Sequence, residues 1–263
     1  MELLTSLWIS AAAIFAYMTF AFLVAVIRRD NSLADFFWGL GFVLVALLTL
    51  FLRSDFEAQQ VLVTVLVFVW GLRLSIYVLI RNRGKGEDPR YKQWREEWGR
   101  YFLLRSYLQV FILQGVFMFL ILVPVVIVNT YSADFSAPAA MVGGLVWLLG
   151  FYFESVGDYQ LYRFLRNPAN RGKIMDSGLW RYTRHPNYFG EVTQWWGIFV
   201  IAAAVPYGWI GVVGPLTITY LILRVSGIPM TEKMFEGNPA FEEYKRHTSI
   251  FFPWFRRERA TRG

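Results

Sequence analysis

A chain of 263 residues that is 56% hydrophobic and 19% aromatic, with charged residues held to 17%, has the composition of a polytopic membrane protein rather than a soluble domain. The absence of Cys excludes disulfides, iron–sulfur clusters and thiolate zinc. Two histidines, His185 and His247, without a His-Glu-x-x-His pattern give no reason to expect a metal. The net charge of +7 follows membrane topology once its distribution is traced, so no nucleic-acid partner is expected.

Seven apolar runs are long enough to cross a bilayer, at roughly 3–27, 33–52, 60–80, 106–130, 138–160, 187–205 and 208–228. The first is too long for a cleaved signal peptide and ends in Arg28-Arg29-Asp30 rather than in small residues. In the second, Gly39-Leu-Gly41 suits close helix packing. No Gly-x-Gly-x-x-Gly follows a strand pattern, so no Rossmann unit is expected. The basic loop 81–104 mixes charge with Tyr91, Trp94 and Trp98 and reads as a membrane-surface segment. A second basic loop covers 161–186, and the tail 229–263 contains Phe251-Phe252-Pro253-Trp254-Phe255. All but Arg53, Arg73 and Arg224 of the 26 Lys and Arg residues fall on one side, including Arg257, Arg259 and Arg262. The positive-inside rule then places the N-terminus outside and the C-terminus in the cytoplasm. The expectation is an all-α integral membrane protein: one seven-helix domain over residues 1–263, monomeric, embedded in lipid.

One stretch gathers the polar chemistry: Ser177-Gly-Leu-Trp-Arg-Tyr-Thr-Arg-His-Pro-Asn-Tyr-Phe-Gly-Glu191. Pro186 fits the first turn of a helix, which puts Asn187 and Glu191 on one face. Arg181, Tyr182 and Arg184 precede that helix N-terminus, where free N–H groups and guanidinium donors suit phosphate. Ionisable residues inside spans are costly and mark function by default. Here they are Asp35, Arg73, Glu154, Asp158, Glu191 and Arg224, all expected in the cytoplasmic half. With Trp38, Trp70 and Tyr77 on matching helix faces, they predict an aromatic-walled cavity open to the cytoplasm and suited to a flat apolar ligand.

The stretch from Arg166-Asn-Pro-Ala-Asn-Arg-Gly-Lys to Glu191 resembles the steroid 5α-reductase family in its bacterial branch. Glu232-Lys-Met-Phe235, Tyr244, the Phe-Pro-Trp ending, Asp158-Tyr-Gln-Leu161 and Arg73-Leu-Ser-Ile-Tyr77 also fit. The likeness covers roughly residues 30–255 and is most specific in 158–191. It implies a seven-helix reductase of 3-oxo-Δ4 steroids in the bacterial inner membrane, using NADPH without a Rossmann domain, with its active site facing the cytoplasm. By resemblance, Asn187 and Glu191 hold the nicotinamide end. Arg73, Asn82, Arg83, Asp158 and Arg166 also contact the cofactor, and Arg181, Tyr182, Arg184, His185, Tyr188 and Glu232 complete its surroundings. The family's Gln-Glu pair in the second helix is not present as such, and Asp35 is the nearest acid. Its substrate-facing Tyr in the third helix is Trp70 here. Asp35, Trp38 and Trp70 are then expected at the substrate. Because the carbonyl oxygen gains charge in the transition state, Asp35 as a protonated acid, or Tyr77 in reserve, is expected to donate to it. The integral-membrane isoprenylcysteine methyltransferases, which use S-adenosylmethionine, share the Arg-His-Pro-x-Tyr core and are the alternative. The Asn-x-x-Gly-Glu spacing favours the reductase.

Overall fold

The computed structural model describes residues 2–53, 56–131 and 135–256. Arg257, Arg259 and Arg262 of the expected tail lie outside them. Backbone polar groups cannot stay unpaired in hydrocarbon, so apolar runs close their hydrogen bonds within helices. In chain order these are α1 (Leu3–Arg28), α2 (Leu33–Phe51), α3 (Ala58–Asn82), α4 (Pro89–Trp98), α5 (Phe102–Arg105), α6 (Leu113–Thr130), α7 (Ala137–Arg166), α8 (Pro186–Ala202), α9 (Val213–Tyr220), α10 (Ile228–Lys233) and α11 (Pro239–His247). A wide π-helical stretch, Ser106–Ile112, leads into α6, and another, Leu221–Val225, follows α9. Among the described residues, extended pairing is limited to one isolated parallel bridge between Thr183 and Ser249.

Six stretches of the described chain are long and apolar enough to cross a membrane: Leu3–Arg28, Leu33–Phe51, Ala58–Asn82, Pro89–Thr130, Ala137–Arg166 and Gly208–Lys233. The protein is an all-helical, multi-pass membrane protein. The further span expected at 187–205 corresponds to α8, which has 17 residues. At 1.5 Å per residue that is about 25 Å, short of a hydrocarbon core of about 30 Å.

The chain divides into two units. The first comprises Met1–Met141 and Ile198–Gly214. Its α2 and α3 meet closely at Gly39 and Gly71: a Cβ on Gly39 would sit 2.5 Å from the Gly71 carbonyl oxygen. Glycine is needed there for close backbone approach, as the Gly39-Leu-Gly41 pair leads one to expect. Deeper in the unit, Asn129 Nδ2 donates to Thr49 Oγ1 at 2.9 Å, to the Ala46 carbonyl at 3.1 Å and to Thr64 Oγ1 at 3.2 Å, fastening α6 to α2 and α3. The segment after α3 is pinned onto the α1–α2 turn. Asp88 N donates to Ser32 Oγ at 2.7 Å, and Asn31 N donates to Glu87 Oε1 at 2.9 Å. Asp88 then caps α4 by accepting from Arg90 N, with Pro89 in the first turn.

The second unit comprises Val142–Gly197 and Pro215–Gly263. Here α7 and α8 approach through glycines, and the tail folds back on the loop before α8. Arg184 N donates to the Ser249 carbonyl and Trp254 N to the Tyr182 carbonyl, each at 2.9 Å. Tyr244 donates its hydroxyl to the Trp180 carbonyl, and Trp180 Nε1 donates to the Gly157 carbonyl at 3.0 Å. Phe189 packs edge-on against Phe153, Phe251 and Phe252. The tail is therefore part of the unit's core rather than an appendage.

Candidate functional site

Within the second unit, polar side chains form a line along α7 and α8. Asn187 Nδ2 donates to Asp158 Oδ1 at 3.0 Å, and Asn187 Oδ1 accepts from Tyr188 N at 3.0 Å. Further along, Gln194 Nε2 donates to Glu154 Oε2 and, at 3.3 Å, to the Gly190 carbonyl. Asp158, Glu154 and Gln194 are buried, while Asn187 and Glu191 are half-buried. Gln194 Oε1 is buried without a hydrogen-bond partner among the described residues, an acceptor one turn beyond Glu191. The side chains of Asp158 and Asn187, each expected at the cofactor, meet one another. Gln194 was missed, although its sequence position three after Glu191 places it on the same helix face.

The loop before α8 is held by a second cluster. Glu232 Oε1 accepts from Arg184 Nε at 2.8 Å and lies 3.1 Å from His185 Nε2. Arg184 Nη1 donates to the Thr248 carbonyl at 2.7 Å and to that of Lys245 at 3.4 Å. Tyr188 stacks on His185 at 5.4 Å between centroids, and its hydroxyl pairs with Thr231 Oγ1 at 2.9 Å. Burial lowers the His185 pKa against the opposing pull of Glu232, and the Arg184 charge adds to the lowering. The ring is thus neutral at pH 7 and carries its proton on Nε2, where it can donate to the carboxylate. Arg184, expected at a phosphate, is buried and committed to the tail. Arg166 and Arg181 are instead exposed, with Arg166 Nη1 donating to Tyr162 OH at 2.7 Å, and the Tyr182 side chain is also exposed.

Within the first unit, Asp35 lies in the first turn of α2 with its Oδ2 3.6 Å from Arg90 Nη2 and 3.9 Å from Arg81 Nη2. Tyr91, buried, donates its hydroxyl to Asp35 Oδ1 at 3.4 Å. The guanidinium groups of Arg73 and Arg81 lie 5.4 and 5.7 Å from the centre of the Tyr77 ring. Phe42 is edge-on to both Trp38 and Trp70, at 5.0 and 5.1 Å. At the end of α3, Asn82 Oδ1 accepts from Arg81 Nε at 3.3 Å, while Arg83 is exposed before the left-handed turn at Gly84. Arg81, Arg90 and Tyr91 were read only as loop residues. Their role as partners of Asp35 follows from α4 being strapped to the start of α2, which no local pattern announces.

The model of the DUF1295 family, described as a protein of unknown function, matches residues 21–248. The chain is 32% identical over 126 residues to 3-oxo-5-alpha-steroid 4-dehydrogenase 1 of Bos taurus, covering 47% of this chain and 46% of that protein. It is equally identical over 127 residues to the protein of that name from Rattus norvegicus, covering 47% and 45%. With the Homo sapiens protein of that name it is 39% identical over 69 residues, 26% of each. The matched stretch thus spans less than half of each of these relatives. Nothing in these matches favours the methyltransferase alternative.

Proposed function

We propose, for a chain that belongs to the DUF1295 family and, with its matched relatives, to the steroid 5α-reductase family, that it reduces the Δ4 double bond of a 3-oxo-steroid or a similarly apolar enone with NADPH. The observation that carries this reading is the polar line of α7 and α8. A nicotinamide carboxamide offers an acceptor and two donors. The Asp158–Asn187 pair, the Glu191 carboxylate and Gln194 Oε1, unpartnered among the described residues, provide the complementary groups in a buried to half-buried setting. The residues present therefore fit the group. Exposed Arg166 and Arg181 would meet its phosphates, and Arg73, Asn82 and Arg83 are proposed as further contacts on the resemblance. Arg184, His185, Tyr188 and Glu232 serve by fixing the loop that carries these residues.

Enone reduction needs a hydride at the β-carbon and a proton at the α-carbon, and NADPH supplies the hydride when bound. Asn187 and Glu191 would fix the ring face, which is the kind of positioning that carries much of a hydride enzyme's rate. Trp38 and Trp70 would wall the enone. Asp35, half-buried beside Tyr91 with guanidinium groups at 3.6 and 3.9 Å, is the proposed donor to the carbonyl oxygen. Tyr77, its ring oriented by Arg73 and Arg81, is the reserve donor. Seven spans, a cytoplasmic site in a bacterial inner membrane and a monomeric state complete the proposal.

A thermal melt of the purified protein tests the cofactor: NADPH should raise the melting temperature and S-adenosylmethionine should not. Glu191→Gln keeps the shape but weakens the acceptor, and should slow NADPH-dependent reduction of a 3-oxo-Δ4 steroid by about 10²-fold. Protection by S-adenosylmethionine alone, with methylation of a prenylated cysteine and no NADPH consumption with any enone, would sink the reductase reading.

A further inference from the structure

The second unit contains a cavity of about 490 Å³ whose wall includes Arg184, Lys245, Arg246, Thr248, Trp254 and Phe255. Apart from Arg184, no residue expected at the reductase site lines it. Three observations give it a chemistry. First, its lining carries cations and no carboxylate. Lys245 Nζ and Arg246 Nη1 do pair outside it, with Glu242 at 3.0 Å and Glu243 at 3.4 Å, but both pairs are exposed to solvent. Such pairs are weak and readily exchanged for a stronger acceptor, and phosphate is the anion that suits a guanidinium fork. Arg184 is held elsewhere by Glu232 and lends the wall only its charge.

Second, the Thr248 hydroxyl is buried, with the residue 4% exposed, and has no hydrogen-bond partner among the described residues. A buried polar atom left unpaired is unfavourable, and a ligand oxygen in the cavity would satisfy it. Third, the rim is apolar and open: Ile250, Trp254 and Phe255 are 48%, 69% and 78% exposed. In a multi-pass membrane protein, a run of exposed aromatics next to cationic side chains belongs at the level of the lipid headgroups.

We propose that this cavity binds the phosphate headgroup of an anionic phospholipid. Lys245, Arg246 and the Thr248 hydroxyl receive the phosphate, and the aromatic rim lies against the acyl chains. The lining's excess of positive charge favours a headgroup with net negative charge, so an anionic headgroup is preferred over a zwitterionic one. The proposal is independent of the reductase reading, because none of its steps involves the cofactor or the enone.

The test reads bound lipid directly. The full chain is purified, reconstituted in vesicles of phosphatidylglycerol mixed with phosphatidylcholine, extracted, and weighed by native mass spectrometry. Retention of phosphatidylglycerol over phosphatidylcholine is expected. The double change Lys245→Gln with Arg246→Gln, both at partly exposed positions, should reduce that retention by roughly tenfold or more. Thr248→Val, similar in shape, should reduce it by a smaller factor. Equal retention of the two lipids by the parent protein overturns the proposal without recourse to any variant. So does undiminished retention by the folded double variant. Loss of the retained lipid to millimolar inorganic phosphate or NADPH would assign the cavity to a soluble phosphate instead, and would likewise overturn it.

Discussion

Glu232 receives two side chains on one oxygen, and both depend on it. Arg184 is 7% exposed, and among the described residues this carboxylate and two carbonyls offset its burial. Glu232→Gln keeps a hydrogen-bond acceptor but removes the counter-charge, and should lower stability by about 2–3 kcal/mol, seen as a reduced melting temperature in detergent. An unchanged melt would mean that Arg184 finds equivalent partners elsewhere. His185 makes the same cluster sensitive to acid. Its folded pKa lies below the ordinary 6.5, so in the window beneath 6.5 the unfolded chain binds more protons than the folded one. The contribution of His185 is therefore complete above pH 6.5 and is lost as pH falls below it. Melting temperature should drop between pH 7.5 and 5.5, and His185→Gln should flatten that drop. A parent profile flat across the window would show that the ring titrates normally.

The helices α7 and α8 owe their close approach to small residues. A Cβ on Gly190 would lie 2.5 Å from the Gly150 carbonyl oxygen, backbone against backbone, with no flexible side chain to give way. Gly190→Ala should therefore cost about 1–3 kcal/mol through separation of the two helices, and should disturb Gln194 and Glu154 with it. Gly144→Ala on the same α7 is the control: nothing lies within 4 Å of its Cβ, so it should leave the melt unchanged or slightly raised. A Gly190→Ala protein that melts with the parent would refute the crossing. Helices of this kind are largely legible in sequence, because a long apolar run has few alternatives in hydrocarbon. The starts of α2, α3, α7 and α8 fall within a few residues of their expected positions. What the pattern did not reveal is tertiary in origin. The burial of Arg184 depends on a carboxylate 48 residues away. The pairing of Asp35 with Arg90 and Tyr91 depends on α4 being tied to the α1–α2 turn through Ser32 and Glu87. The stretch 158–191 was readable through its resemblance to a known family, and Asn187 and Glu191 through their spacing on one helix face. Gln194 stands at helical spacing from Glu191 but is uncharged, so a search for ionisable residues within spans passes over it.

At the scale of the whole molecule, the distribution of basic residues predicts an orientation that can be measured. Lys and Arg beside a span resist transfer across the membrane, and the excess on one set of loops fixes which set stays in the cytoplasm. If the seven expected spans alternate, all but Arg53, Arg73 and Arg224 fall on that side. Reversing the protein would carry the loops 81–104 and 161–186 across, each with several cations. The opposite connections, around Ser136 and Tyr207, have little charge to oppose export. The chain contains no native Cys, so a single introduced thiol reports its own position without background. Tyr207 is 57% exposed, and Lys85 and Lys173 are also exposed, so failure to label cannot be blamed on burial at those sites. In sealed cells an impermeant maleimide should label Tyr207→Cys and Ser136→Cys, and should leave Lys85→Cys and Lys173→Cys untouched until the membrane is opened. The experiment also decides the status of α8. Lys173 precedes that 17-residue helix and Tyr207 follows it. If α8 crosses the membrane despite its length, the two sites must label from opposite sides. If both label from the same side, α8 does not cross, the count of spans is six, and the N-terminal and C-terminal segments lie on the same side.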